Sequence, residues 1–177
     1  MISKMKRLNL ILFSFALIIG IPFNKAKAQA SVSAHATAEV VAALSATETA
    51  ELNFGRFSPE TTGGEVKLTS SGVRSSTGSV ALSGGTHNAA SFYITGQFDS
   101  AVSITLPSGP AILTNAASAK TMEVNGWEST PTAGIATGVL NHGWLAVNVG
   151  ATLKVGNMID NPVGMYAGTY SITFSYN

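Results

Sequence analysis

Three histidines, nine carboxylates and two tryptophans are the side chains with which this chain could do chemistry. His35, His87 and His142 stand far apart, and none has a second ligand at i+2 or i+4, the spacings that bring two donors onto one ion. They read as solvated strand and turn residues. The chain has 0 cysteines, which removes thiolate metal sites, thiol nucleophiles and disulfides together. The serine-rich stretches contain no Gly-x-Ser-x-Gly, the strained turn that presents a hydrolase nucleophile. Gly63-Gly64 and Gly84-Gly85 precede no helical pattern, so neither forms a phosphate cradle. Glu48 with Glu51, and Glu60 with Glu65, flank a strand and a loop and read as surface charge rather than as a glycosidase pair. Trp127 and Trp144 could stack on a sugar, but packing in the core or at a strand edge is the stronger reading. We therefore expect no enzyme, no metal and no cofactor.

The N-terminus reads as a processing signal. Lys4, Lys6 and Arg7 precede an apolar run from Leu8 to Phe23, and Ala26-Lys27-Ala28 supplies small residues at a signal-peptidase spacing. Residues 1–28 are thus expected to be a cleaved signal peptide and 29–177 a single exported domain. Five of the ten basic residues lie in that leader and all nine acids lie beyond it, so the exported chain is net negative. That argues against nucleic acid and against an anionic membrane surface as partners. Beyond the leader no apolar stretch is long enough to span a bilayer as a helix, so the signal peptide is the expected membrane contact.

The elements follow from hydrophobic period. In Ser31–Leu44 every even position is apolar: Val32, Ala34, Ala36, Ala38, Val40, Ala42 and Leu44. A period of two sends alternate side chains to opposite faces, so this predicts a long strand with one apolar face. At about 3.3 Å per residue such a strand is more than twice the usual length. It either crosses between sheets of its own domain or reaches a neighbour's. Shorter strands are predicted at Thr49–Phe54, Glu65–Thr69, Val73–Ser76, Ser79–Leu82, Ala90–Thr95, Ala101–Leu106, Ala111–Thr114, Lys120–Val124, Trp144–Val149 and Thr152–Val155. Asn125-Gly126 reads as a hairpin turn, Asn141–Gly143 as a tight turn and Thr130–Gly138 as a loop. The chain closes on Tyr166–Asn177, with Tyr166, Gly168, Tyr170, Ile172, Phe174 and Tyr176 on one face and serine, threonine and alanine on the other. Many short strands with frequent turn signals predict an all-β sandwich of about 8–10 strands.

Leu52–Gly55, Phe92–Gly96, Val102–Pro107, Val149–Val155 and Ala167–Tyr176, taken in order, resemble the bacterial family known as domain of unknown function 4402. The resemblance covers essentially the whole exported region. It implies an immunoglobulin-like β-sandwich secreted by Gram-negative bacteria, with some members labelled major subunits of Mat/Ecp-type fimbriae, and no established activity. A second resemblance is to chaperone–usher pilins, which tend to carry a penultimate tyrosine and a glycine fourteenth from the end. Here these are Tyr176 and Gly164. It implies a strand such as Ser31–Leu44 donated to a neighbouring subunit. The chain lacks the disulfide pair that many pilins have.

The leading expectation is a structural subunit in the periplasm, on the cell surface or in a fimbrium. It would self-associate by strand exchange and engage a periplasmic chaperone or assembly machinery. A second expectation is a monomeric module binding a glycan or other ligand through the loops Ser83–Asn88 and Glu128–Gly138. A third is a small outer-membrane β-barrel, suggested by the closing aromatics but disfavoured by strands shorter than the ~9–11 residues a barrel needs.

Overall fold

A computed structural model describes residues 28–177; residues 1–27, and with them nearly all of the expected signal peptide, lie outside the described region. The described residues contain no helix. The chain divides into two units at Glu39/Val40. In the first unit, residues 28–39 are exposed and form no strand. The second unit holds eleven strands: β1 (Ser45–Ala50), β2 (Phe57–Leu68), β3 (Arg74–Leu82), β4 (Ala90–Thr95), β5 (Ala101–Thr105), β6 (Ala111–Asn115), β7 (Thr121–Thr130), β8 (Gly134–Val139), β9 (Trp144–Val155), β10 (Tyr166–Ala167) and β11 (Thr173–Tyr176).

All pairing is antiparallel, in one eight-stranded and one three-stranded sheet. The larger sheet is built on β9. One edge of β9 pairs with β7; the other pairs with β4 along Trp144–Val149 and with β2 along Ala151–Val155. The changeover falls at Gly150, where a Cβ would run into the Leu68 carbonyl oxygen and the Ser70 nitrogen of the chain leaving β2. Only glycine lets two backbones approach that closely. β1 extends the sheet beyond β4, β3 extends it beyond β2, and β6 and β10 extend it beyond β7. The smaller sheet runs β11-β5-β8. Both sheets end in strands paired on one side only, so no closed barrel forms among the described residues.

Alternation along β9 points Val147, Val149, Ala151, Leu153 and Val155 inward and Trp144, Ala146, Asn148, Thr152 and Lys154 outward. Two core clusters result. Val147 and Val149 join Ala90, Ile94, Leu140 and, from the smaller sheet, Val102 and Ile104. This is the sandwich proper, two sheets facing each other across apolar side chains. Ala151, Leu153 and Val155 join Phe54, Val66, Leu68, Val80, Ala111, Met122 and Val124. The strand residues of that cluster all belong to the larger sheet, so the sheet curls around them.

Four expectations change. Ser31–Leu44 is not a strand in its own chain; pairing starts at Ser45, where β1 meets β4. Asn125-Gly126 is not a hairpin: β7 runs through it with a register shift against β9 between Asn125 and Glu128, and Gly126 has φ 58°. The left-handed glycine that favours a hairpin turn here serves a β-bulge. The expected loop Thr130–Gly138 contains β8, held by β5. Tyr166–Asn177 is broken into β10 on the larger sheet and β11 on the smaller, with Gly168–Ile172 crossing between them. The Asn141–Gly143 turn is present, with φ of 54° at His142 and 86° at Gly143. Those angles match a tight hairpin turn whose central residues are both left-handed.

Candidate functional site

The closing segment alternates in burial as well as in sequence. Tyr166, Tyr170, Ile172, Phe174 and Tyr176 are partly buried, while Ala167, Thr169, Ser171, Thr173 and Ser175 are exposed. Gly168 is exposed, but a side chain there would meet the Ile112 carbonyl. Gly164 lies in the preceding loop with φ 153°, against the buried side chain of Asn115.

The apolar face of this segment closes the sandwich core. Phe174 meets Phe92 of β4 at 6.0 Å between ring centroids. Ile172, Phe174 and Tyr176 pack on the Ile94–Val147 cluster, together with Leu44 and Leu52 at either end of β1. The Tyr176 hydroxyl accepts from the Gln97 amide at 2.7 Å and donates to the Ala42 carbonyl at 2.9 Å. The Ala42 amide in turn donates to Gln97 Oε1 at 3.2 Å. The point at which the N-terminal segment leaves the domain is thus tied to the end of β11.

Beyond that tie the segment has no strand partner. Val32 and Val40 are 92% and 96% exposed, and Ala34, Ala36 and Ala38 are exposed too. His35 is exposed on the same segment. Gln29–Leu44 contains no Gly, Pro, Asn or Asp; its turn-favouring residues are Ser31 and Ser33.

The second unit also has an open edge. β11 pairs with β5 on one side and with no described strand on the other, and Gly168–Ile172 belongs to no strand. β1 is likewise paired only with β4. The seam between β1 and this crossover therefore carries unpaired backbone along both margins. Tyr170 sits on it. Its ring packs on Trp127 at 4.8 Å, and its hydroxyl is buried with no hydrogen-bond partner. Burial, helped by the Glu48 carboxylate of β1, pushes its pKa up to about 12. A buried hydroxyl without a hydrogen-bond partner is uncommon in a folded chain. A shallow depression beside it is lined by Leu106–Ala111, Thr169, Tyr170 and Ser171.

The remaining candidates are separate from this seam. His87 is exposed between β3 and β4, and His142 is exposed in the β8–β9 turn. The two tryptophans part company: Trp127 faces the core and donates from Nε1 to the Gly109 carbonyl at 3.2 Å, whereas Trp144 lies on the outer surface. Sequence reasoning missed Gln97 and Glu48. Gln97 follows a strand end and Glu48 precedes a bulge, and nothing in their local pattern marks either as facing the seam.

A family model described as domain of unknown function (DUF4402) matches residues 44–176. No curated protein and no solved structure matches the chain.

Proposed function

The chain belongs to the DUF4402 family, and we propose that it is an exported structural subunit of fimbrial type that assembles by strand addition. Residues 31–43 of one copy would lie along the open margin of Gly168–Tyr176 in the next. The observation that carries this reading is the pairing of two unfinished features in one chain. One is an alternating apolar segment without a strand partner among the described residues; the other is a sheet edge paired on one side only. That edge is the four residues of β11, Thr173–Tyr176, preceded by the unpaired crossover Gly168–Ile172, and the alternating segment is longer than either. Antiparallel or parallel addition would supply backbone bonds for affinity and alternate side chains for register. An incoming carbonyl would also give the Tyr170 hydroxyl an acceptor. In this reading the acceptor is the open edge of a second copy.

The leader-like residues 1–28 support export, and the net negative charge of the exported region argues against a role for nucleic acid. An uncovered edge strand promotes uncontrolled pairing, so a periplasmic chaperone or assembly factor would hold the free subunit. In this reading the protein is not an enzyme and takes no cofactor.

The test is light scattering on the exported chain and on a variant lacking residues 29–41. Concentration-dependent oligomers that vanish on deletion, and weaken with Ala36→Asp at unchanged melting temperature, are expected. A full-length chain that stays monomeric at every concentration overturns the proposal.

A further inference from the structure

The exposed aromatics are gathered in one corner. Tyr93, Phe98 and Trp144 are 44%, 70% and 46% exposed. Among the described residues they are the aromatic members of the exposed large hydrophobic side chains, and all three lie at the Trp144 end of β9. Tyr93 and Trp144 project from neighbouring strands, since Tyr93 pairs with Ala146 and Thr95 with Trp144. Their rings stack at 5.8 Å with 22° between planes. Phe98 lies against Gly143, the residue before Trp144; a Cβ on that glycine would fall 2.6 Å from the ring.

The strand positions around the two stacked rings are uncharged and rich in hydrogen-bonding groups, while Asp99 and His142 lie at the Phe98 rim. Thr47, Ser91, Thr95 and Asn148 share the outer face with the rings. Ser91 Oγ donates to Asn148 Oδ1 at 2.8 Å, which fixes the amide and leaves its Nδ2 without a partner among the described residues. The other half of the same face differs. There the outward residues are charged and paired, Lys67 with Glu128 at 3.3 Å and Lys154 with Glu123 at 3.6 Å. Charge is thus absent from the strand positions around the rings and present where there are no rings.

We propose that the Tyr93–Trp144 corner, with Phe98 at its rim, is a carbohydrate-binding face for neutral, gluco-configured oligosaccharides. The stacked pair and its hydroxyl and amide collar are the juxtaposition that carries the inference. A sugar with equatorial substituents has a flat face of axial C–H groups that lies on an aromatic ring, and its hydroxyls point sideways to hydroxyl and amide partners. Rings held in a sheet lose little conformational freedom on binding. The loops Ser83–Asn88 and Glu128–Gly138, the expected contact sites for a glycan, carry no aromatic residue.

The test is isothermal titration of the exported chain with cellohexaose and with chitohexaose, followed in parallel by tryptophan emission. Saturable binding to at least one is expected, weakened about tenfold or more in Trp144→Ala and in Tyr93→Ala. Trp144→Tyr should stay within a few-fold of the native chain, which a merely structural role would not require. Removing residues 29–41 should leave binding unchanged, so this outcome is independent of the assembly reading. No heat from the folded native chain with either sugar, or equal binding by folded Trp144→Ala, overturns the proposal. So does a change in oligomer size on Trp144→Ala without sugar, which would make the corner a protein contact.

Discussion

Ser31–Leu44 and Tyr166–Asn177 carry the same period of two, yet the second is packed into the sandwich while the first, apart from the ties at Ala42 and Leu44, has no strand partner among the described residues. The difference is the size of the apolar face. Four of the first segment's seven apolar positions are alanine, whereas the second presents three tyrosines, a phenylalanine and an isoleucine. Ordering the backbone costs about 1–2 kcal/mol per residue. A buried methyl returns roughly 0.8 kcal/mol, and a large apolar or aromatic side chain about 1.5–3. An alanine face cannot offset its own ordering from burial alone, so it needs a ladder of backbone bonds. The aromatic face can supply most of the difference itself, even on a strand paired along one side. Period therefore says which residues share a face, while side-chain area says whether that face folds without help.

Substitutions on the two segments should separate most widely in the apolar positions. Phe174→Ala removes the ring that meets Phe92 and is expected to destabilise the domain by about 2–3 kcal/mol in urea unfolding. Val40→Ala, at an exposed position, should change it by less than about 0.5 kcal/mol. Equal losses would mean that the N-terminal segment is packed in solution.

A smaller effect sharpens the junction between the segments. Tyr176→Phe deletes the hydroxyl that joins Gln97 to Ala42 and should cost about 1–2 kcal/mol of thermal stability. It should also speed amide exchange at Ala42, whose own bond to Gln97 depends on that arrangement.

The smallest effect is a pH dependence. The Tyr170 pKa is raised to about 12, so the folded state keeps this proton after the unfolded state, near the ordinary value of 10, has released it. Its contribution is complete below pH 10 and is lost as pH rises toward 12. Tyr170→Phe should flatten that alkaline decline and be close to neutral at pH 7, because the hydroxyl it removes has no partner. An unchanged alkaline slope would place the orphaned hydroxyl in water.

The sequence made much of this fold readable. β4 and β5 lie within a residue of the alternating runs that predict them, because each has branched or aromatic residues on a buried face. The outward position of Trp144 follows from its parity with Ala146 and Asn148 along β9. Trp127 did not follow in the same way. Counting from Met122 and Val124, which face the core, puts position 127 outside; the bulge after Asn125 inverts the parity and turns Trp127 inward. β8 was hidden because Gly134–Val139 has no alternating apolar pattern and gains its strand form from pairing with β5. The open seam was half legible. The alternation of the closing segment could be read, but the sheet change at Gly168–Ile172 and the orphaned Tyr170 hydroxyl arise only from tertiary placement.

The most direct test adds a peptide of residues 31–43 to the chain lacking residues 29–41 and follows backbone amide exchange along Gly168–Tyr176. If the segment is a donated strand, the peptide slows exchange at the amides of this stretch that lie on its open side and leaves those bonded to β5 unchanged. If exchange there is the same with and without peptide, the edge is not the acceptor and assembly by strand addition at this seam is wrong.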